Sequence, residues 1–436
     1  MKKFAVLGAG MAGVGAAHRL HAQGITAVVY EKHTYHGGHT VSFKNNQGFV
    51  FDEGPHISFT SDKRIQELLA NSVNQQFETV KYRCNNYWKG HWIKHPAHCN
   101  LYGLPPDLVV EILRDFIQAK GNGSGEIRNY EDWLMASYGE KFAKTFPMEY
   151  TVKYHTTTAS NMSTDWLGPR MYRPKLEEVL LGSLSPTTPD YHYVTEFRYP
   201  SQGGFVSYFR LFLRQAEFKL GHEVISIDPK SKHLRFSNGV VEPYDGLISS
   251  IPLPDLIPLI SGVPTDVAEC SQRLACTSCV LVNVGVDREG ISENTVSYFY
   301  DRNISFSRLS FPHLMSPTNV PPGASSIQAE VYFSRKYRPL TCSPQDCVQP
   351  VIADLRKCGL LTEEDRILSA EARLCPYANV IFDLDRAPAL QTVHGYLNDV
   401  GVAYCGRYGD WEHTWTDEAF KSGENAAQKI LDRVIS

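Results

Sequence analysis

Three glycines near the amino terminus have the spacing of a dinucleotide-binding turn. Gly8, Gly10 and Gly13 form a G-x-G-x-x-G pattern between an apolar run and a segment of helical character. The first glycine permits a tight turn, the second lets backbone N–H groups approach a pyrophosphate, and the third lets helix and strand pack closely. A second apolar run ends on Glu31, which is placed to accept hydrogen bonds from a ribose. The sequence therefore predicts a dinucleotide site.

The elements that must position these residues follow from the apolar pattern. Residues 4–7 and 27–30 predict two short strands, and residues 12–23 predict the helix between them. Near the carboxyl terminus, residues 402–411 predict a strand that runs into a glycine turn, and residues 417–436 predict a helix. A strand, a glycine turn and a helix N-terminus again predict a site for an anion or a ring edge.

Composition limits the other classes of function. The net charge of −4 and the pI near 6.5 give no reason to expect nucleic acid or an anionic membrane as a partner. No apolar stretch approaches the roughly 18 residues that span a bilayer. The ten cysteines are scattered, which favours a reducing compartment, and we expect a cytoplasmic protein.

The loop after Glu31 carries a first family resemblance. A Gly-Gly pair and a predicted hairpin follow the acid, where a nicotinamide-only domain would be expected to show a second βα unit. This resembles the FAD-binding half of the amine-oxidase-like flavoproteins, although His39 stands where that family usually has arginine. The resemblance implies bound FAD, with further contacts from His56, beside the flavin, and from Gly37, Gly38, His39, Val224, Gly406, Arg407 and Asp417.

The same resemblance implies the fold class and the domain organisation. We expect an α/β protein with a Rossmann-like FAD-binding domain assembled from three chain segments and an inserted α+β substrate domain. The predicted FAD domain comprises residues 1–60, 190–265 and 385–436. The predicted substrate domain comprises residues 61–189 and 266–384.

A narrower resemblance lies in separated islands of the inserted segments. Residues 150–154, 161–170, 197–204, 298–317 and 406–411 are similar to segments of the UDP-galactopyranose mutases, especially the eukaryotic type. By that resemblance Arg170 and Arg308 grip a substrate diphosphate, a task suited to a planar, permanently charged fork. Further substrate contacts are implied for Trp166, Tyr298, Tyr377 and His413, the last in place of a tyrosine. Ala97 and His98 occupy the segment that stacks on uracil in the mutases, so the base pocket is altered.

The resemblance implies a mutase that interconverts the pyranose and furanose forms of a nucleotide-diphospho-sugar through N5 of reduced FAD. UDP-galactose is the default substrate, the catalytic residues are His56, Arg170 and Arg308, and NAD(P)H is one candidate reductant. The alternative is an FAD-dependent oxidase or dehydrogenase of the amine-oxidase or protoporphyrinogen-oxidase type, which would have no use for a diphosphate clamp. The sequence leaves the sugar, the base and the oligomeric state open.

Two further patterns resemble metal sites. His33, His36 and His39 recur at intervals of three, but Gly37 and Gly38 interrupt any helix that could align them. A single Cys-x-x-Cys pair at residues 276–279 lacks a second pair and continues into a predicted strand. We expect no metal site.

Overall fold

The structure is a computed structural model and describes residues 2–121, 125–168 and 171–435. Its helices are α1 (Met11–His21), α2 (Lys63–Ser72), α3 (Pro106–Gly121), α4 (Tyr130–Tyr138), α5 (Glu140–Thr145), α6 (Pro147–Tyr154), α7 (Leu176–Leu184), α8 (Leu253–Leu256), α9 (Thr265–Arg273), α10 (Val348–Lys357), α11 (Arg386–Asp399) and α12 (Thr416–Ile435). Its strands are β1 (Phe4–Leu7), β2 (Val28–Tyr30), β3 (Ser42–Lys44), β4 (Val50–Asp52), β5 (Phe77–Lys81), β6 (Cys84–Trp88), β7 (His91–Lys94), β8 (Glu196–Pro200), β9 (Glu217–Lys219), β10 (Val224–Asp228), β11 (His233–Phe236), β12 (Val241–Pro243), β13 (Gly246–Ser249), β14 (Thr277–Val286), β15 (Val296–Phe299), β16 (Arg308–Ser310), β17 (Ser325–Ser334), β18 (Ile367–Cys375) and β19 (Val402–Tyr404).

A parallel sheet of order β19-β13-β1-β2-β9 carries the predicted dinucleotide turn. Two of its three interior strands, β1 and β13, are buried along their whole length, as expected for a parallel sheet covered on both faces. The five strands come from three separated parts of the chain, because β9 and β13 lie mid-chain and β19 lies near the carboxyl terminus. The predicted assembly of a Rossmann-like domain from three segments is confirmed.

Helices α1 and α12 pack against each other at glycines. A side chain at Gly15 would place its Cβ 2.1 Å from the Phe420 carbonyl oxygen, and one at Gly423 would place it 1.9 Å from the Ala12 carbonyl oxygen. Only glycine permits so close an approach of two helix backbones. The carboxyl-terminal helix is therefore held against the helix that begins at the dinucleotide turn.

The inserted segments form a second, mostly antiparallel sheet and a helical cluster. The sheet has the order β18-β14-β17-β16-β15-β6-β7, and α10 packs on one of its faces. Helices α3 to α7 surround an aromatic core that includes Trp133, Phe142 and Phe146. The predicted limits of the domains stay a prediction. Strand β8, in the segment 190–265 predicted for the FAD domain, pairs with β5, in the segment 61–189 predicted for the substrate domain.

The register of the second sheet gathers charged residues on the face opposite α10, here called the site face. In the strand register, Arg308 on β16 lies opposite Glu330 on β17, and Glu330 lies opposite Leu281 on β14. Leu281 in turn lies opposite Arg373 on β18, so these four residues form one row across the sheet. Side chains two positions apart on a strand share a face. The neighbouring row of the site face therefore holds Cys279, Tyr332 and Cys375.

Asp52, at the end of β4, joins three parts of the chain. Its buried carboxylate accepts hydrogen bonds from Ser42 Oγ at 2.5 Å, Tyr199 Oη at 2.8 Å and the Phe205 backbone N–H at 3.1 Å. The Asp52 carbonyl oxygen also accepts from Gln328 on the site face at 2.8 Å. Burial raises the pKa of Asp52 to about 6, although the three hydrogen bonds act in the opposite direction.

We expect Asp52→Asn to change how stability depends on pH. The folded carboxyl has a pKa of about 6 against an ordinary value of 3.8, so the native protein loses stability as pH rises between these values. Asparagine does not titrate. The free energy of unfolding of the variant, relative to the parent, should therefore rise by on the order of 2–3 kcal/mol between about pH 4 and about pH 6.5.

Urea denaturation of both proteins across this pH range measures the effect. Asp107→Asn, an exposed substitution in the first turn of α3, is the surface control for the loss of one carboxylate, against which the pH profile of Asp52→Asn is compared. Parallel profiles for the parent and Asp52→Asn would contradict the assignment.

Candidate functional site

One cavity of about 810 Å³ extends from the dinucleotide turn to the site face of the second sheet. Most of the residues predicted from sequence line it: Gly8, Gly10, Glu31, Gly37, Gly38, His39, His56, Val224, Arg308, Tyr377, Gly406, Arg407 and His413. Four others, Gly13, Trp166, Tyr298 and Asp417, do not line it. Arg170 lies outside the described residues.

The glycine turn is built to receive an anion. Gly8 has a φ of +100°, a conformation that favours glycine, and Gly10 begins α1 without any capping side chain. The first N–H groups of α1 are thus left for a ligand, with the positive end of the helix dipole behind them. Gly13 packs directly against the turn and leaves no room for a side chain, because a Cβ there would lie 1.9 Å from the Gly8 carbonyl oxygen.

Glu31 braces the same turn. Its Oε2 accepts a hydrogen bond from the Ala9 backbone N–H at 3.0 Å, and its Oε1 accepts from the His33 backbone N–H at 3.0 Å. Each carboxylate oxygen retains acceptor capacity for a ribose hydroxyl. Val224 lines the cavity at the start of β10, as the predicted mid-chain return requires.

The side chain of His39 is directed at Glu53 and Cys375 rather than along the dinucleotide turn. Its Nδ1 lies 3.7 Å from Glu53 Oε1 and 3.3 Å from Cys375 Sγ. Among the described residues these three offer the one set of His, Cys or carboxylate ligand atoms within 4.8 Å of each other. Glu53 is also paired with Arg373 at 2.9 Å, and the Cys375 thiol donates to the Tyr377 carbonyl oxygen at 3.0 Å.

The three regularly spaced histidines diverge. His33 stacks on Tyr35 with ring centroids 4.8 Å apart, and His36 packs against Phe209 at 5.8 Å. His39 faces Glu53 instead. The spacing in sequence therefore does not bring the three rings to one point.

His56 lies beside His39, with ring centroids 5.2 Å apart and the planes perpendicular. Burial, reinforced by the charges of His39, Arg407 and Arg308, holds its pKa well below the ordinary value. His56 Nδ1 is 2.9 Å from the Gly54 carbonyl oxygen, which can only accept. The neutral ring therefore carries its hydrogen on Nδ1 and presents Nε2 as an acceptor.

The carboxyl-terminal turn supplies a second charged group. Arg407 donates to the carbonyl oxygens of Thr414, at 2.6 Å and 3.2 Å, and of Ala378, at 3.0 Å. These acceptors fix the guanidinium without neutralising it. Asp417, which was predicted to contact the cofactor, accepts a hydrogen bond from Thr60 at 2.6 Å. His413 and Trp415 both line the cavity.

Arg308 is held by a buried carboxylate. Its Nε lies 2.9 Å and 3.0 Å from the two oxygens of Glu330, and its Nη2 lies 2.8 Å from Oε1. Tyr332 donates a further hydrogen bond to Glu330. Burial opposes the charge of Arg308, but Glu330 and neighbouring tyrosines outweigh it, so the pKa stays well above its ordinary value. Within the described part of the chain, Nη1 has no hydrogen-bond partner.

The predicted tyrosine contacts are occupied within the protein. Tyr377 donates to Asp255 at 2.7 Å, and the hydroxyl of Tyr298 lies 3.2 Å from that of Tyr82. Trp166 donates to the Ser163 carbonyl oxygen at 3.0 Å and packs on Tyr130. Donation from Tyr377 to a phosphate would require its hydrogen bond to Asp255 to break, whereas Tyr298 can accept from Tyr82 and keep its own hydrogen for another acceptor.

The altered base segment packs inward. Ala97 is buried in the helical cluster, and His98 stacks on Tyr138 with ring centroids 4.9 Å apart. His95, two residues before Ala97, stacks on Tyr298 at 4.9 Å and contacts Asn86 through Nδ1 at 3.0 Å. Histidine and tyrosine rings thus surround the place of the predicted base pocket.

Sequence reasoning missed several residues of the cavity wall, namely Glu53, Cys279, Glu330, Tyr332, Arg373 and Cys375. The strand alternation in residues 277–286 and 325–334 could have placed Cys279, Glu330 and Tyr332 on one face. Their pairing with Arg308 and Cys375 depends on the register between distant strands, which no local pattern supplies.

The family model of the flavin containing amine oxidoreductases matches residues 11–431. The chain belongs to this family. Membership implies FAD, and the residues present fit it: an uncapped helix N-terminus, a glycine cradle and an acid at the end of β2 lie in one cavity large enough for a dinucleotide.

Individual relatives are similar in different ways. A reduced UDP-galactopyranose mutase has the same fold with a TM-score of 0.92 at 24% identity, covering 100% of this chain and 97% of that one. Cyclohexylamine oxidase from Brevibacterium oxydans IH-35A gives a TM-score of 0.70 at 12% identity, covering all of both chains. A 1-hydroxycarotenoid 3,4-desaturase of Flavobacterium sp. (strain P99-3) is 37% identical over 93 residues, 20% of this chain and 19% of the desaturase. The chain thus spans about a fifth of that relative's length.

No helix among the described residues has the length and apolar character needed to cross a bilayer.

We expect the purified protein to be yellow and Gly10→Leu to be colourless but folded. A Cβ at Gly10 would lie 3.5 Å from the nearest atom, Gly38 Cα, so the backbone can stay while the rest of the side chain enters the cavity. Gly13→Ala is the contrasting variant, because its Cβ collides with the turn itself. That variant should lose both flavin and thermal stability.

Flavin absorbance per polypeptide and the melting temperature separate the two outcomes. Stoichiometric flavin in a folded Gly10→Leu protein would show that the pyrophosphate does not pass this glycine.

Proposed function

We propose that the protein is a flavin-dependent mutase that interconverts the pyranose and furanose forms of a nucleotide-diphospho-sugar. The observation that carries the proposal is Arg308, a charged guanidinium that lies in the same cavity as the dinucleotide turn and keeps Nη1 for a ligand. A planar donor fork is suited to a diphosphate. The full-length similarity in fold to a UDP-galactopyranose mutase supports the same proposal.

Each group has a stated task in this proposal. Arg308 binds and neutralises the leaving diphosphate, and Arg170 is the second predicted clamp. Glu330 holds the Arg308 guanidinium in place. His56 presents an acceptor nitrogen into the cavity and can hold a hydroxyl proton of the sugar.

Reduced FAD supplies the nucleophile in this chemistry, through N5, so no protein nucleophile is needed. The cysteines of the cavity wall agree with this, because burial holds the pKa of both Cys279 and Cys375 well above its ordinary value. Their thiols stay protonated and are poor nucleophiles. NAD(P)H as reductant has no support from the relatives, and UDP-galactose is the default substrate by resemblance.

The alternative function is an FAD-dependent oxidase or dehydrogenase. The family description, the similarity in fold to cyclohexylamine oxidase and the local match to a carotenoid desaturase favour it. Such an enzyme takes hydride from a C–H bond and consumes an electron acceptor at every turnover. It has no role for the Arg308 fork, which is the reason for ranking it second.

We expect dithionite-reduced protein to convert nucleotide sugars between ring forms, and oxidised protein to be inactive. The reaction leaves the oxidation level of the sugar unchanged, so no reductant should be consumed per turnover. Anaerobic NMR with UDP-galactose, UDP-glucose and their dTDP counterparts follows the anomeric signals. Bleaching of oxidised flavin by an amine, with steady peroxide release, would favour the oxidase instead.

We expect Arg308→Lys to weaken binding of a nucleoside diphosphate about tenfold without releasing FAD. Lysine keeps the charge opposite Glu330 but loses the fork, and charge-assisted contacts of this kind contribute about 1.5–3 kcal/mol. Arg308→Ala should weaken binding by up to about a hundredfold and also destabilise the fold, because it leaves Glu330 buried without a counter-charge.

The matched control is Arg288→Lys, which alters an arginine paired with Asp365 at 2.6 Å and lying outside the cavity. Calorimetric titration with UDP measures all three variants. Equal affinity for UDP in the parent and both Arg308 variants would remove the main support for the mutase.

A further inference from the structure

Three metal-ligating side chains converge in the cavity wall at a point that the proposed function does not use. They are His39, Glu53 and Cys375, whose Nδ1, carboxylate oxygen and Sγ all lie within 4.8 Å of one another. His39 comes from the Gly-Gly loop, Glu53 follows β4, and Cys375 ends β18. Imidazole, carboxylate and thiolate are together a ligand set of zinc.

The spacing of these atoms matches tetrahedral coordination. Zinc bonds of ordinary length at tetrahedral angles place an imidazole nitrogen about 3.6 Å from a ligating sulfur and about 3.4 Å from a ligating oxygen. Nδ1 of His39 lies 3.3 Å from Cys375 Sγ and 3.7 Å from Glu53 Oε1. Both separations therefore agree with the ideal values to about 0.3 Å, and small side-chain rotations complete the geometry.

The carboxylate of Glu53 is already oriented for this task. Arg373 Nε donates to its Oε2 at 2.9 Å, which leaves Oε1 on the side of His39. Arg373 is itself fixed, because its Nη2 donates to Tyr35 Oη at 3.0 Å and its guanidinium stacks on Phe43 at 3.6 Å. A hydrogen-bonded partner behind a ligating carboxylate is a regular feature of metal sites.

Charge and access also fit a divalent cation. The Glu53 carboxylate and a Cys375 thiolate supply two negative charges, so the metal and its ligands carry no net charge and do not repel the arginines of the cavity wall. All three residues line the cavity, through which a metal can enter. Three protein ligands leave a fourth position for water or another ligand, as in catalytic rather than structural zinc sites.

We propose that His39 Nδ1, Glu53 Oε1 and Cys375 Sγ form a binding site for one Zn²⁺ ion, with the fourth position open to the cavity. Binding forms three coordinate bonds and releases the Cys375 thiol proton to solvent. The expectation of no metal site rested on local spacing, whereas this site joins residues far apart in sequence. The proposal does not depend on whether the enzyme is a mutase or an oxidase.

The experiment compares the purified holoenzyme with three variants, Cys375→Ser, His39→Gln and Cys279→Ser. Cys279 is the matched control, because it lies opposite Cys375 in the strand register and lines the same cavity without belonging to the cluster. Equilibrium dialysis against Zn²⁺ with elemental analysis gives the stoichiometry and the dissociation constant. Co²⁺ in place of Zn²⁺ reports the geometry, because tetrahedral Co²⁺ absorbs red light, where oxidised flavin does not.

We expect the parent and Cys279→Ser to bind one Zn²⁺ per polypeptide and to show tetrahedral Co²⁺ bands. Loss of a hydrogen-bonded partner of a ligand typically costs about 10–100-fold in metal affinity, so Cys375→Ser and His39→Gln should bind at least about a hundredfold more weakly. Zn²⁺ should raise the melting temperature of the parent by on the order of a few degrees, because it joins three distant segments, and should leave that of Cys375→Ser unchanged.

Three results would overturn the proposal. The first is a parent holoenzyme that binds no Zn²⁺ or shows no tetrahedral Co²⁺ bands, which needs no variant to fold. The second is equal Zn²⁺ affinity in the parent and Cys375→Ser, which would assign the metal to adventitious groups elsewhere. The third is loss of the metal from Cys279→Ser alone, which would assign it to a different set of ligands. None of these measurements requires turnover of a sugar or an amine, so failure of the proposed mutase activity would leave the site intact.

Discussion

The close approach of backbones at glycine positions is the constraint on which the rest of the structure depends. Gly13 lies against the Gly8 carbonyl, and α1 meets α12 where Gly15 and Gly423 leave no room for a side chain. These contacts fix the helix N-terminus that faces the cavity and bring the last segment of the chain beside the first. Through α12 and β19, they also place Arg407 and His413 in the cavity wall.

Three acids, two of them buried, then hold the cations and backbone groups around that frame. Glu31 braces the turn, Glu53 holds His39 and Arg373, and Glu330 holds Arg308. Each carboxylate meets at least two donors, so its burial is offset by the bonds it accepts. The cations held in this way have a fixed orientation. Preorganised charge of this kind serves a redox cofactor and a diphosphate equally well.

The sequence predicted the parts of the site that depend on local spacing. The turn at Gly8, Gly10 and Gly13, the acid at Glu31 and the strand, turn and helix around Arg407 lie where local pattern places them. Helix α1 runs from Met11 to His21 against a predicted 12–23, and α12 runs from Thr416 against a predicted 417. Residue roles taken from resemblance stay predictions, and Tyr298 and Tyr377 have partners that a motif does not reveal. Glu53, Glu330 and Cys375 could not be placed, since they depend on the register of strands far apart in sequence.

The order of strands in the parallel sheet has a consequence for how the protein is made. Strand β1 pairs with β13, and β13 pairs with β19, so the sheet joins residues separated by almost the whole chain. Contacts of such high sequence separation form late and slowly. The dinucleotide turn leaves the ribosome long before α12, the helix that packs on α1. Flavin capture must therefore wait until β19 and α12 have been synthesised, and until then the nascent chain exposes an incomplete sheet.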